Sequence, residues 1–302
     1  MSHNHGAPET HRTRLAIAFG ITAAILLAEV VGAVLTGSLA LLVDAGHMLT
    51  DTGGLLMALV AASLTLRAPT SRYTWGFRRA EVLAATAQAG ILLAVGVYAL
   101  VEGIRRLVEP AEVASGGLLI FGVVGLVGNL ASMAVLNAGR SANLNLRAAF
   151  LEVTVDALGS VAVIVSAIVI AITGWTGADA IAGMLIAAFI VPRSLLLLRE
   201  TSHVLLEAAP RGLDLDKVRE HILRVPHVVS VHDLHASQIA TGLPTLSAHV
   251  VIAESCFYDG HASRMLDELQ ACVAGHFDVS VEHSTFQLEP AGRNLHEGAA
   301  HD

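Results

Sequence analysis

Up to about residue 200 the chain is a succession of long apolar stretches broken by short polar joints, and after Pro210 the pattern changes. The first part predicts six membrane-spanning helices, at roughly 15–36, 39–66, 81–107, 115–138, 143–173 and 178–199, since about 20 apolar residues suffice to cross a bilayer. The second part alternates helical and strand periodicity. Leu213 to Leu223 has helical spacing and is stopped by Pro226, and Val228 to Ile239 reads as a strand that turns at Thr241-Gly242. Leu246, Ala248, Val250 and Ile252 then alternate with Ser247, His249 and Val251, as in a half-buried strand. His261 to Phe277 is helical, and Val279 to Leu288 alternates again. An α-β-β-α-β order over some 80 residues predicts an α+β sandwich with its helices on one side of the sheet.

These segments divide the chain into an N-terminal tail (1–14), a six-helix transmembrane domain (15–199), a linker (200–210), an α+β domain (211–290) and a disordered tail (291–302). Composition agrees: 54% hydrophobic and only 15% charged residues, with a mean hydropathy of +0.65, is too apolar for an ordinary soluble protein. No Lys/Arg run suggests nucleic acid. Cys256 and Cys272 have no CxxC spacing and fit a reduced cytoplasmic setting better than a disulfide framework. Residues 1–14 lack a signal-peptide pattern, so the first apolar stretch is expected to be retained as a span. Arg12 and Arg14 precede the first span, Arg67, Arg72, Arg78 and Arg79 fill the second-to-third joint, and Arg140 and Arg147 flank the fourth-to-fifth. The opposite joints carry no basic residue apart from Arg105 and Arg106, beside Glu109 and Glu112. Both termini are therefore expected in the cytoplasm. Gly32, Gly37, Gly53, Gly54, Gly122, Gly125 and Gly128 are expected to let helices approach closely.

The candidate chemistry lies in two spacings inside the apolar part. His47 and Asp51 stand at i and i+4 in the second span, and Glu152 and Asp156 do so in the fifth, so each pair shares one helix face. Of fifteen histidines, only His47 falls between residues 12 and 202. Ionisable groups at membrane depth are costly and mark function, and four such ligands can hold one divalent cation. Asp44, one turn before His47, reads as an outer partner of the imidazole, a proton relay, or a solvated residue at a cavity mouth. Glu29 and Asn129 read as hydrogen-bonding glue between helices or as lining of the path.

The segments SLALLVDAGHMLTD (38–51), SRYTWGFRRAE (71–81), DALGS (156–160), HDLH (232–235), GLPTLSAHV (242–250) and HSTFQLE (283–289) resemble the cation diffusion facilitator family of proton-coupled zinc exporters. The resemblance covers roughly residues 12–290. It implies six spans, a ferredoxin-like cytoplasmic domain, a homodimer and a plasma membrane location (the bacterial inner membrane). It carries metal-ligand positions onto His47, Asp51 and Asp156. At the fourth position Glu152 stands where the zinc branch has His, which makes the site harder and loosens the choice among Zn²⁺, Cd²⁺, Co²⁺, Fe²⁺ and Mn²⁺; zinc stays first because of His47. His232, His249, His261 and His283 fall where relatives bind regulatory zinc. Some relatives hold a further metal in the second-to-third joint, but residues 67–79 contain no His, Asp or Glu, so that site is expected to be missing. His3, His5, His11, His296 and His301 could collect metal loosely. The function implied is export of a divalent metal in exchange for protons by alternating access, without ATP, a prosthetic group or enzymatic chemistry. The partners are lipid, metal ions and protons. A membrane-anchored metal sensor is the alternative, and an intramembrane metalloenzyme would want an HExxH that the chain lacks.

Overall fold

The computed structural model describes residues 7–137 and 144–291, with side chains described outside 7–16, 144–149 and part of α2 beyond Gly53. His3, His5, His296 and His301, the tail beyond Ala291, and the side chains of His11, Arg12, Arg14, Arg140 and Arg147 therefore lie outside the described residues, as does the packing of Gly54. Six long helices come first: α1 (Ala7–Thr36), α2 (Leu39–Thr65), α3 (Ala80–Val108), α4 (Ser115–Asn137), α5 (Leu144–Thr173) and α6 (Gly177–Leu205). Helices satisfy their own backbone hydrogen bonds, which is what a bilayer demands. Among the described residues, five of them, α1 and α3 to α6, are long and apolar enough to cross a membrane. The 27-residue α2 has the length too, and carries Asp44, His47 and Asp51 within it. The protein is a helical membrane protein with a C-terminal α+β domain.

Residues 1–59 and 87–198 form one compact unit. Its polarity is inverted relative to a soluble protein: Leu27, Val34, Ile172 and Phe189 are exposed, while Glu29, Asp44, Asn129, Asp156 and Asp179 are buried. α4 packs between α1 and α5 along a glycine stripe. A Cβ on Gly122 would meet Val163 and Ile164 of α5 at 3.0 Å, and one on Gly128 would meet Ile25 of α1 at 2.6 Å. Gly32 serves the same purpose against Phe121. Two of the expected glycines do not sit between helices. A Cβ on Gly37 would meet the Glu112 carbonyl of the α3–α4 connection at 3.0 Å. Gly37 is a left-handed turn residue (φ +70°) ending α1, and Gly53 has nothing near its Cβ position.

The turn at Gly37 starts α2 under close control. The Ser38 hydroxyl accepts from the Leu41 amide and donates to the Asp179 carboxylate of α6. Asp179 also accepts the amides of Leu39 (2.6 Å) and Ala40 (3.4 Å), so a buried acid satisfies the bare N–H groups of the first turn. Arg106 of α3 donates to the Gly37 carbonyl at 2.7 Å and is held by Glu102 at 2.9 Å.

Residues 60–86 and 199–302 form the second unit. It contains α7 (Leu215–Leu223), β1 (Val228–Ala240), β2 (Leu243–Ile252), α8 (His261–Gly275) and β3 (His283–Pro290). The sheet order is β1-β2-β3, with β1 and β2 antiparallel and β2 and β3 parallel, the parallel step needing α8 as its crossover. Leu246, Ala248, Val250 and Ile252 of β2 meet Val218 and Ile222 of α7 and Leu269 and Val273 of α8 in one core. The ferredoxin-like αββαβ expectation holds. Asp214 caps α7, its Oδ1 accepting the amides of Asp216 (3.1 Å) and Lys217 (3.3 Å).

Three boundaries differ from the sequence reading. Helix α1 begins at Ala7, inside the segment read as a tail, because no glycine or proline from residue 9 on interrupts it before Gly20. β3 begins at His283 rather than near Val279, because the Val281 amide bonds to the Val273 carbonyl of α8 and its side chain fills the core. Helix α6 continues to Leu205, past the apolar window that ends near 199, since Thr201, Ser202 and His203 end the hydrophobicity without breaking the helix.

Candidate metal sites

Helices α2 and α5 bring His47, Asp51, Glu152 and Asp156 together. His47 Nε2 lies 3.4 Å from Asp51 Oδ2, one turn on along α2, and 3.8 Å from Asp156 Oδ1 across on α5. The carboxyl of Glu152 is within hydrogen-bonding reach of Asp51. His47 and Asp156 are 5% exposed, and Asp51 and Glu152 are half-buried. One imidazole and three carboxylates thus face one another in an apolar surround, where each would be costly alone. Such a donor set suits a divalent cation of borderline hardness. His47 Nδ1 and Asp156 Oδ1 are buried without a hydrogen-bond partner, as atoms awaiting a ligand would be. A cavity of about 380 Å³ reaches this place, lined by Asp44, His47, Asp156 and Arg193 among apolar residues that include Leu92 and Phe189.

Arg193 was missed in the sequence. It follows Pro192 inside α6, and its Nη2 lies 3.8 Å from Glu152 Oε1. An arginine inside an apolar span was the available signal.

Behind His47 a second layer of polar groups is buried. Asp44 is 2% exposed and Glu29 1%, and their carboxyls are within hydrogen-bonding reach of each other. Asp44 is therefore not a solvated residue at a cavity mouth, although it lines the cavity. Glycines make room for this layer: a Cβ on Gly159 would stand 3.0 Å from Asp44 Oδ1, and one on Gly125 would stand 3.1 Å from Glu29 Oε1. Asn129 of α4 donates to Ser160 Oγ of α5 at 3.3 Å, the interhelical bond anticipated for it. Glu29 Oε2, Asp44 Oδ2 and Asn129 Oδ1 remain without partners.

The C-terminal domain gathers a different set. His232 and His249 are direct neighbours across β1 and β2, and Glu289 lies diagonally on β3 opposite Val251. Glu289 is buried, with its oxygens 3.3 Å from His232 Nε2 and 3.3 Å from His249 Nδ1. One ligand atom from each of these three residues lies within 4.8 Å of the others. β1 is bulged between His232 and His235, and Asp233 there adopts a left-handed backbone (φ +49°). That bulge turns the Asp233 carboxylate toward His235 (2.8 Å) and His249 (3.7 Å). The other two predicted histidines sit apart. His261 is paired with Asp259 at the start of α8 (2.8 Å), and the ring of His283 lies tilted at 60° to that of Trp75 (4.8 Å between ring centres). His261's amide and ring hold the Asp259 carboxyl below its ordinary range. Glu289 and Asp233 were not singled out beforehand, although both stand inside the motifs quoted above.

The comparisons with known proteins extend over both units. The cation efflux transmembrane domain family matches residues 15–206, and the cytoplasmic domain family of cation efflux proteins matches residues 210–291. The metal cation efflux system protein CzcD of Cupriavidus metallidurans is 40% identical over 299 residues, covering 99% of this chain and 93% of its own length. The zinc transporter ZitB of Escherichia coli is 38% identical, covering 96% of this chain and 93% of its own. A cadmium, cobalt and zinc/H(+)-K(+) antiporter of Bacillus velezensis is 35% identical, covering 97% and 94%. With both family matches in register with the helical unit and the α+β domain, the chain belongs to the cation diffusion facilitator family of metal-cation efflux transporters.

Proposed function

We propose that the protein exports a divalent metal ion, Zn²⁺ first, from the cytoplasm in exchange for protons. His47, Asp51, Glu152 and Asp156 hold the ion in transit. The observation that carries this reading is the approach of His47 to both Asp51 and Asp156 across two helices in a buried, apolar setting. The printed names of the relatives point the same way, two of them naming zinc and one naming an antiport.

The charge of the site supports it further. With a neutral imidazole, three carboxylates stand against Arg193 and a divalent ion, leaving the loaded site without net charge. Glu152 adds one negative charge where an imidazole would add none, and Arg193 stands beside it to offset that charge. A neutral loaded site costs less at membrane depth than a charged one, while the guanidinium, repelling the cation, keeps it from being held too tightly to leave. Ligation needs deprotonated groups, so protons arriving from outside compete for the same lone pairs and displace the ion. Asp44, with Glu29 behind it, orients His47 or passes the proton onward.

The protein works as a homodimer in a bacterial inner membrane with both termini in the cytoplasm, and His232, His249 and Glu289 bind regulatory metal. The test is Zn²⁺ flux into proteoliposomes under an imposed pH gradient. Wild type is expected to transport, and Asp51→Ala and Asp156→Ala to fall to the leak of empty vesicles. Flux unchanged in both variants would overturn the site assignment, and binding without flux in wild type would favour a membrane-anchored sensor.

A further inference from the structure

The helical layer of the C-terminal domain holds a third ligand cluster, away from both sites above. His221 stands in the last turn of α7, while Cys272 in the last turn of α8 and His276 just beyond it are four residues apart on one face. His221 Nε2 and His276 Nδ1 face each other at 3.0 Å, and one ligand atom from each of the three residues lies within 4.8 Å of the others. Cys272 is buried, His221 half-buried and His276 exposed, so one side of the cluster is open to solvent. The ring of Phe277 meets that of His221 edge-on at 5.5 Å, which limits how His221 can turn.

A hydrogen bond between two neutral imidazoles explains the 3.0 Å separation but not the thiol beside it. The other cysteine makes the contrast. Cys256 packs in the apolar core of the domain with Leu269 and Met265, whereas Cys272 is buried outside that core cluster, against the two imidazoles. Thiolate and imidazole from i and i+4 of one helix, joined by an imidazole from a second helix, match the ligand types of a borderline-soft divalent cation.

We propose that His221, Cys272 and His276 form a Cys-His-His site for Zn²⁺ or its softer congener Cd²⁺, fastening the end of α7 to the end of α8. Metal–ligand distances of about 2.0–2.3 Å place tetrahedral ligand atoms about 3.3–3.7 Å apart, so the two ring nitrogens need separate by only a few tenths of an ångström. Water on the open side supplies the fourth ligand, and the thiol proton leaves to solvent as the thiolate binds. This is the softest of the three clusters. The helix site offers one nitrogen and three oxygen donors and the sheet site offers two imidazoles and a carboxylate, so neither contains sulfur.

That difference supplies the test, because the chain has two cysteines in all. Purified full-length protein is titrated with Co²⁺ and followed for the near-ultraviolet sulfur-to-metal charge-transfer band, which needs a thiolate ligand. The band is expected in wild type and in Cys256→Ser and absent in Cys272→Ser, and Cd²⁺ is expected to bleach it by displacing Co²⁺. His276→Asn, at an exposed position, keeps the question open to refutation should Cys272→Ser misfold. It is expected to weaken Co²⁺ binding read from this band by at least about tenfold. A wild type without the band, a band that survives Cys272→Ser, or a band unaffected by His276→Asn would each overturn the proposal. These readings are independent of whether flux is observed.

Discussion

The helical unit and the C-terminal domain both gather side chains of metal-ligand type, but in different proportions of carboxylate and imidazole. Between α2 and α5 the donors are three carboxylates and one imidazole, balanced by Arg193. On the sheet, two imidazoles face each other with one buried carboxylate, and Asp233 supports them from a strained bulge. A carboxylate-rich set on separate helices can come apart when the helices move, and carboxylates can give up a metal ion to protons. An imidazole pair on adjacent strands is held by the ladder itself and has nowhere to go. On the proposed function, the first arrangement suits the passage of an ion and the second its retention.

The strongest way to break this contrast is to remove one ligand from each side. Asp156→Ala is expected to lower Zn²⁺ flux in proteoliposomes by well over tenfold, since even supporting residues of metal sites typically cost about 10- to 100-fold. His249→Ala should leave flux at saturating Zn²⁺ within about twofold while removing one equivalent of tightly bound metal, measured by elemental analysis. Equal losses of flux in both variants would erase the distinction. Selectivity comes next: Glu152→His is expected to shift competition toward Zn²⁺ over Mn²⁺ and Co²⁺ by about tenfold, because imidazole is softer than carboxylate. Arg193→Met should tighten Zn²⁺ binding by roughly threefold to tenfold and slow turnover, the guanidinium being partly exposed and its charge screened. Isothermal titration beside flux separates the two effects.

Smaller effects sharpen the supporting geometry. Gly159→Ala pushes a methyl group to 3.0 Å from Asp44 Oδ1, and a loss of Zn²⁺ affinity of about threefold is expected if Asp44 steadies His47; unchanged affinity would remove Asp44 from the ligand machinery. Asp214 accepts the Lys217 and Asp216 amides, which holds its carboxyl below the ordinary range. A depressed folded value means that this cap contributes stability above the ordinary aspartate range and loses it as pH falls. Asp214→Ala is therefore expected to speed amide exchange in α7 at pH 7, the difference from wild type shrinking as pH falls below the ordinary aspartate range.

Much of this arrangement was legible in the chain. The apolar stretches and the period-two alternation of β2 are strong signals because each is repeated over many residues. The paired ligands of α2 and α5 were legible because i and i+4 share a face whatever the tertiary packing. Arg193 was harder, since a single charge in an apolar span does not say which neighbour it meets. Glu289 stands beside His249 only through the parallel register of β2 and β3, which no local pattern encodes. His221, Cys272 and His276 come together because two helices end side by side, and Gly37 and Gly53 looked like packing glycines until backbone angle and surroundings told them apart.

The corner between α1 and α2 sets a mechanical condition on everything downstream. Ser38 and the Leu39 and Ala40 amides are tied to Asp179 of α6, and the Gly37 carbonyl to Arg106 of α3, within one turn. A rod pinned so firmly at one end can swing only at the other. On the proposed function, a tilt of α2 about that corner would carry His47, nearer the pin, through a shorter arc than Asp51 one turn farther out.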